Sequence, residues 1–342
     1  MSLATKYRPK KFEDVTEQTI TVKILEKAIQ TKTFKNVYLF SGKTGSGKTT
    51  VARILAKEIN NGVGDPIEID AASNNGVDDI RAIIESANQR SVTGEYKIFL
   101  IDECHTITAQ GWQAFLKGLE ETPKYTIFIF CTTEPNKIPA TVLNRMQRYN
   151  FSNISIAGIK KRLFYICQQE GFINYEDTCD IIAKISQGSM RDAITYLEQC
   201  ADLSKDLNLT NTKDLLGDFS YEMMMRLTNI LIDRNEKEII NFIEKMYESG
   251  RDLKTFISTY LDFVLELIKY CILKDINLTL IPNYLEYTQE NETNLKYTVG
   301  SGEESLTFFN HLADLLLEIK SAIKNDPSYK STIIVMLLKV CK

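Results

Sequence analysis

The densest chemistry in the chain lies in one short string, GKTGSGKT, at Gly42–Thr49. It fits the spacing GxxxxGK[ST]. A loop of that composition turns backbone N–H groups toward a phosphate chain, and the helix behind it adds a favourable dipole. In this reading Gly42, Lys43, Thr44, Gly45, Ser46, Gly47 and Thr50 shape the cradle. Lys48 reaches the β- and γ-phosphates, and the Thr49 hydroxyl holds Mg²⁺. By itself the string could be a glycine-rich turn with an incidental lysine. Its place argues otherwise, after the apolar run Asn36–Phe40 and before a helical pattern from Gly47 to about Asn60.

A second string, LIDECH at Leu100–His105, ends another apolar run. An acidic pair at a buried strand end is the complement a phosphate loop needs. Asp102 would hold the Mg²⁺ shell and Glu103 would polarise an attacking water. Without the phosphate loop upstream, the pair would read as a solvated acidic turn. His105 reads as a ligand, a coupling residue or a helix-start residue with a satisfied ring, and the last is favoured. Cys104 reads as a small buried side chain. Thr132 and Thr133 end the run TIFIFCT, where a hydroxyl can sense a terminal phosphate or simply close a strand. Arg145 and Arg191, on residue type alone, read as solvated arginines.

These residues need a frame that brings them together. Short apolar runs at Asn36–Phe40, Pro66–Asp70, Tyr96–Ile101 and Thr126–Thr132 alternate with helical patterns at Val77–Asn88 and Ala109–Glu120. That alternation predicts an α/β unit around a parallel sheet covered on both faces. After about Asn153 the strand signals stop. Amphipathic helices are expected at Ile156–Glu170, Tyr175–Ser186 and Met190–Leu203, then a polar linker at Lys205–Asp214. Further helices are expected at Glu222–Ile232, Glu236–Ser249, Leu253–Leu273, Leu306–Lys324 and near Ser331–Cys341. The polar stretch Tyr287–Glu304 reads as a loop.

Composition bounds the rest. The 342 residues are 44% hydrophobic and 25% charged, which excludes collagen-like and mostly disordered chains. Seven scattered cysteines with no CxxC pair argue against a zinc cage or a disulfide framework and for a reducing, cytoplasmic setting. No apolar run is long enough for a membrane span, and the N-terminus does not read as a signal peptide. The net charge of −4 hides an asymmetry: residues 1–60 carry +7 and the remainder −11. A basic first segment suits anionic partners.

The motifs together closely resemble the bacterial DNA polymerase III gamma/tau family, the AAA+ ATPase subunits of the replicative clamp loader. The resemblance rests on KYRPKKFEDV (Lys6–Val15), the phosphate loop, EIDAASNNGVDDIR (Glu68–Arg81) and LIDECH. It continues through FLKGLEETP (Phe115–Pro123), CTTEPNKIPATVLNRMQRYNF (Cys131–Phe151), GSMRDAITYLEQC (Gly188–Cys200) and SGRDLKTFISTYL (Ser249–Leu261). It implies an AAA+ P-loop domain at 1–153, a small helical lid at 154–207 and an all-α collar at 208–342. It also implies residue roles. Tyr7, Arg8, Pro9 and Val15 would lie on the adenine side of ATP. Thr133 would be the first sensor and Arg191 the second, reaching the γ-phosphate from the lid. Arg145 would be a finger acting on a neighbouring subunit's ATP. Ser73, Asn74, Asn75, Thr108 and Lys117 match places where helix N-termini hold DNA phosphates, or else are ordinary caps and an exposed lysine.

The resemblance further implies an ATP hydrolase with Mg²⁺ and no polymerase site. Expected partners are other clamp-loader subunits in a ring, pentameric by resemblance, a sliding clamp and primer-template DNA, with no membrane. A non-catalytic structural subunit and a P-loop translocase or helicase are the competing readings. Two departures stand out. The family's Ser-Arg-Cys finger reads Asn144-Arg145-Met146, and only NNGVGDPI joins Ile59 to Glu68, where many bacterial members carry a four-cysteine zinc module. No zinc is therefore expected. The resemblance implies the short, gamma-like form, without the tau form's C-terminal tail.

Overall fold

The computed structural model describes residues 2–216, 220–284, 287–300 and 303–341. The chain divides into two compact units, Met1–Asn208 and Leu209–Lys342. In the first unit, β1 (Val37–Gly42), β2 (Ile67–Asp70), β3 (Lys97–Asp102), β4 (Thr126–Thr132) and β5 (Gln147–Phe151) form a sheet in the order β2-β3-β4-β1-β5. Every pairing is parallel. Parallel neighbours need a crossover between them, and helices supply most of these. The helices are α1 (Leu3–Lys6), α2 (Thr19–Gln30), α3 (Lys48–Ile59), α4 (Val77–Ala87), α5 (Ala109–Glu120) and α6 (Ala140–Leu143).

Side chains alternate across the sheet and build two cores. Tyr38, Phe40, Ile98, Leu100, Ile127 and Ile129 pack with Leu25 of α2 and Val51, Ile54 and Leu55 of α3. Leu39, Phe99, Ile101, Phe128 and Phe130 pack with Ile80 and Ile83 of α4 and Trp112 and Phe115 of α5. Both faces are covered, so the strands read as nearly continuous apolar runs. Strand β5 is the exception. Its sequence QRYNF buries only Tyr149 and Phe151, and no strand was expected there. An edge strand with polar residues carries no apolar run to betray it.

The segment expected as a lid falls within the first unit. Its helices are α7 (Ile156–Glu170), α8 (Glu176–Ile185) and α9 (Met190–Leu203). Ser155 and Ser189 cap α7 and α9 by accepting from Gly158 N–H and Asp192 N–H. Gly171, at φ 70°, ends α7 in the left-handed conformation that glycine adopts without strain.

Among its described residues the second unit contains helices joined by turns and no strand. It contains α10 (Leu209–Leu216), α11 (Tyr221–Ile232), α12 (Glu236–Glu248), α13 (Leu253–Leu273), α14 (Gln289–Val299), α15 (Glu303–Ala322) and α16 (Tyr329–Leu337). Its core gathers Met224, Leu231, Ile243, Phe256, Tyr260, Phe263, Leu312 and Leu316. Two expectations are corrected here. The polar linker at Lys205–Asp214 is mostly α10. The loop expected at Tyr287–Glu304 contains α14, with residues 301–302 outside the described set. Helix α14 buries only Leu295 and Val299, four residues apart, so its amphipathic signal is too thin to read from sequence.

The aromatic cluster under α5 yields a stability test. Phe115 is fully buried, edge-on to Phe128 and Phe130. Phe115→Ala is expected to remove about 3–5 kcal/mol of stability. Val92→Ala, at a fully exposed site, should change it by less than about 0.5 kcal/mol. Urea unfolding of the two variants checks this; equal midpoints would contradict the packing.

Candidate nucleotide-binding site

Strand order sets the site. Strand β4 lies between β1 and β3, so the C-terminal ends of all three meet at one edge. The phosphate loop leaves β1, Asp102 ends β3 and Thr132 ends β4. Ligand crevices of open parallel sheets form at such ends.

Within the loop, Lys48 is buried at 6% exposure. Its Nζ donates to Gly42 O at 2.8 Å and Lys43 O at 3.0 Å. Burial pushes its pKa down, partly offset by the carboxylates of Glu103 and Asp102. An ammonium held only by carbonyls in a dry place favours an anion. Thr49 Oγ1 donates to Asp102 Oδ2 at 2.8 Å. A hydroxyl and a carboxylate so paired are hard oxygen donors of the kind Mg²⁺ takes. Gly47 sits at φ 100° where a Cβ would meet nothing within 4 Å. Open space beside backbone N–H groups at the start of α3 fits a phosphate chain.

Glu103 takes the left-handed conformation, φ 46° and ψ 40°. Its N–H donates to Asp102 Oδ1 at 3.0 Å. Its Oε2 is buried with no hydrogen-bond partner. Thr132 is fully buried and its Oγ1 accepts from Glu134 N–H at 2.9 Å, while Thr133 follows half-buried. Cys104 is also fully buried. Burial pushes its thiol far up, which makes it a packing group rather than a nucleophile.

The start of α9 is seated on the phosphate loop. Met190 N–H donates to Gly45 O at 3.1 Å. A Cβ on Gly45 would lie 2.0 Å from Ser189 Oγ. Arg191, exposed, is therefore one residue from a backbone bond to the loop. Around the same place Gln18 Nε2 donates to Ser152 O at 2.7 Å, and its Oε1 accepts from Ser152 N–H at 3.2 Å. Glu17 accepts from both the N–H and the hydroxyl of Ser155. Glu17 and Gln18 thus tie the segment before α2 to the chain between β5 and α7. Nothing in their residue types pointed to this role, because the partners are more than 130 positions away.

The other expected site residues divide. Tyr7 lies on α7: its hydroxyl donates to Glu170, and its carbonyl accepts from Arg162 Nη2 at 2.7 Å. Burial and the Glu170 carboxylate push its phenol up to about 12. Arg8 is exposed, Pro9 half-buried, and Val15 packs on the core under β1. Arg145 is away from the loop, donating to Thr141 O at 2.6 Å and to Glu120. Thr108, the cap of α5, donates to Asn75 O at 3.1 Å, so Ser73, Asn74, Asn75 and Thr108 form one neighbourhood at the starts of α4 and α5. Lys117 is not part of it, nine residues on and about 13 Å along α5. Among the described residues, no cluster of three or more His, Cys, Asp or Glu could hold a metal, and no helix is long and apolar enough to cross a membrane.

Comparison with known proteins follows the same outline. The family model for the DNA polymerase III delta subunit matches residues 65–155. The model for domain III of DNA polymerase III subunits gamma and tau matches residues 207–341. DNA polymerase III subunit gamma of Buchnera aphidicola is 31% identical over 284 residues, covering 77% of this chain and 78% of that protein. The chain belongs to the DNA polymerase III gamma/tau family. DNA polymerase III subunit tau of Bacillus subtilis is 35% identical over 286 residues, covering 77% of this chain and 51% of that protein. The chain thus spans about half the length of the Bacillus and Mycoplasma gamma/tau relatives. In fold, it is similar to the Thermotoga maritima RuvB Holliday junction branch migration motor. The TM-score is 0.52 at 19% identity, covering 71% of this chain and 80% of that one. The first unit is accordingly an AAA+ P-loop fold, followed by a mostly helical C-terminal portion.

The contact of α9 with the loop can be tested directly. Gly45→Ala adds a methyl against Ser189 Oγ at a residue with φ 74°. It is expected to weaken ATP-analogue binding and lower Tm. Adding Ser189→Gly should restore part of both, because it removes the overlap and not the left-handed strain, about 1–2 kcal/mol. If Ser189→Gly recovers nothing, the helix does not rest on the loop.

Proposed function

We propose that this gamma/tau family chain is an ATP-hydrolysing subunit of a DNA sliding-clamp loader. The observation that carries the reading is the joint at the strand ends: Lys48 folded into its loop, Thr49 on Asp102, and α9 resting on Gly45. A site of this kind lets one terminal phosphate alter the position of a helix. The RuvB likeness supports the fold alone.

Mg²⁺, when present with ATP, would neutralise charge on the phosphates. Thr49 and Asp102 would hold it. Lys48 would exchange two carbonyl acceptors for phosphate oxygens, a gain for a buried cation. Glu103 would orient and deprotonate water. Thr133, just after β4, and Arg191, on α9, would contact the γ-phosphate. Arg191 lies in the first turn of α9, so its pull would act on a helix end that is already seated on the loop. Tyr7, Arg8, Pro9 and Val15 would border the base.

Arg145 would leave Thr141 O and Glu120 to meet a neighbouring subunit's nucleotide. Ser73, Asn74, Asn75 and Thr108 would hold DNA phosphates without reading bases, with Lys117 adding charge further along α5. In this scheme 1–153 is the ATPase domain, 154–207 the lid and 208–342 the collar of a cytoplasmic ring, pentameric by resemblance. ATP binding would open the clamp and grip primed DNA, and hydrolysis would release the clamp on DNA. The scheme contains no zinc.

Two variants separate binding from turnover. Lys48→Ala should abolish ATP binding. Glu103→Gln should bind ATP normally and lose about 10²–10⁴-fold in kcat. Hydrolysis at the wild-type rate by Glu103→Gln, with clamp and primed DNA, would remove Glu103 from the mechanism.

A mixing experiment tests the shared site. Arg145→Ala should bind ATP and lose DNA-stimulated hydrolysis by about 10³–10⁵-fold. Mixed with Glu103→Gln, it should regain part of the activity, because an Arg145→Ala chain keeps its Glu103 and its neighbour keeps Arg145. A co-assembled mixture as inactive as its components would mean that Arg145 does not act across an interface. Arg191→Ala mixed with Glu103→Gln should regain nothing.

A further inference from the structure

His105 is the ring that touches the candidate base without a role in the scheme above. It lies in the short turn Cys104–Thr106, and its side chain is 14% exposed. Its Nδ1 is 3.3 Å from Glu103 Oε2 and 3.3 Å from Thr132 Oγ1. Its Nε2 is 3.4 Å from Glu134 Oε1. Two carboxylates therefore flank one confined ring, one at each nitrogen.

The Glu103 side matters because its Oε2 is buried and unpartnered. A carboxylate oxygen withdrawn from water without a hydrogen bond is costly, and it moves readily toward a donor that comes into line. The nearby His105 Nδ1 is such a group, close but out of alignment in this structure. The main chain of Glu103 is already fixed by the N–H bond to Asp102. What remains free is the aim of its side chain.

The Glu134 side is exposed and built differently. Lys137 Nζ donates to Glu134 Oε1 at 2.8 Å and holds that carboxyl below its usual range. Glu134 N–H also donates to Thr132 Oγ1. Ring, hydroxyl and two carboxylates form a continuous string from Glu103 to the segment after β4. That segment runs through Pro135–Lys137 and α6 to Arg145. An imidazolium carries an N–H on each nitrogen, so in that form one ring can donate toward both carboxylates, and the contact at Nε2 fixes the orientation in which Nδ1 faces Glu103.

We propose that His105 is a positioning residue for Glu103, bridging it to Glu134 so that the aim of the water-activating carboxylate depends on the segment leading to Arg145. This rests on the hydrolase reading above. A ring that merely filled space beside Thr132 would make turnover indifferent to Glu134, which is exposed and contributes nothing to the core.

The test measures kcat, nucleotide affinity and Tm for the full chain, with co-purifying subunits and primed DNA. His105→Ala is expected to lower kcat about tenfold while nucleotide affinity stays within about twofold. Glu134→Gln should lower kcat by about threefold, and should add nothing on the His105→Ala background. His105→Gln, which keeps a side-chain donor, should recover part of the loss. Wild-type kcat in His105→Ala, or fully additive losses in the double variant, would overturn the proposal. Should His105→Ala fail to fold, Glu134→Gln decides, and a wild-type kcat there overturns it. Wild-type turnover by Glu103→Gln would instead remove the hydrolase reading, and this proposal with it.

Discussion

The site depends on the parallel pairing of β4 between β1 and β3. Each strand delivers a different kind of group to one edge. Strand β1 delivers a loop of backbone N–H groups, β3 a carboxylate pair and β4 a hydroxyl. Parallel direction is essential, because an antiparallel neighbour would put its residues at the opposite end. Parallel pairing in turn demands long crossovers, and the helices that make them bury both faces of the sheet. Fixing the edge and building the two cores are therefore one constraint. A slip of one residue in β3 would turn Asp102 away from Thr49 and move Phe99 and Ile101 out of their core.

The second determinant is a charge kept dry. Lys48 is folded into carbonyls of its own loop, with two carboxylates nearby and little water. Such an arrangement is poorly satisfied until an anion arrives. The same loop is fixed from outside by the start of α9 on Gly45. A ligand that changes the loop therefore acts on α9 through backbone contacts rather than through a flexible side chain. Interfaces packed this tightly move between discrete arrangements instead of deforming smoothly.

Several polar ties at the edge share a pattern. Gln18 with Ser152, Glu17 with Ser155, and His105 with Thr132 each join segments that lie apart in sequence. Each puts a side chain against backbone or hydroxyl groups that end an element. Helix and strand ends leave polar groups without partners, so they are where long-range ties can form at low cost.

Among the described residues, the sequence by itself determined four of the five strands and most helices, and it marked the glycine-rich loop after β1 and the acidic pair at the end of β3. These are legible because their signals are local: a fixed spacing at Gly42–Thr49, apolar runs at Tyr96–Ile101 and Thr126–Thr132, and helical periodicity at Met190–Leu203. Family resemblance added the order of motifs along the chain. Only the tertiary structure decided that Ser189 packs on Gly45, that Tyr7 lies on α7, and that Lys117 lies apart from Thr108. It alone revealed β5 and α14, whose few buried residues acquire meaning only against a neighbouring element. It also placed His105 between Glu103 and Glu134. A local pattern records what one segment prefers. Which side chains meet is set by strand order and helix packing, and these depend on burial summed over the whole unit.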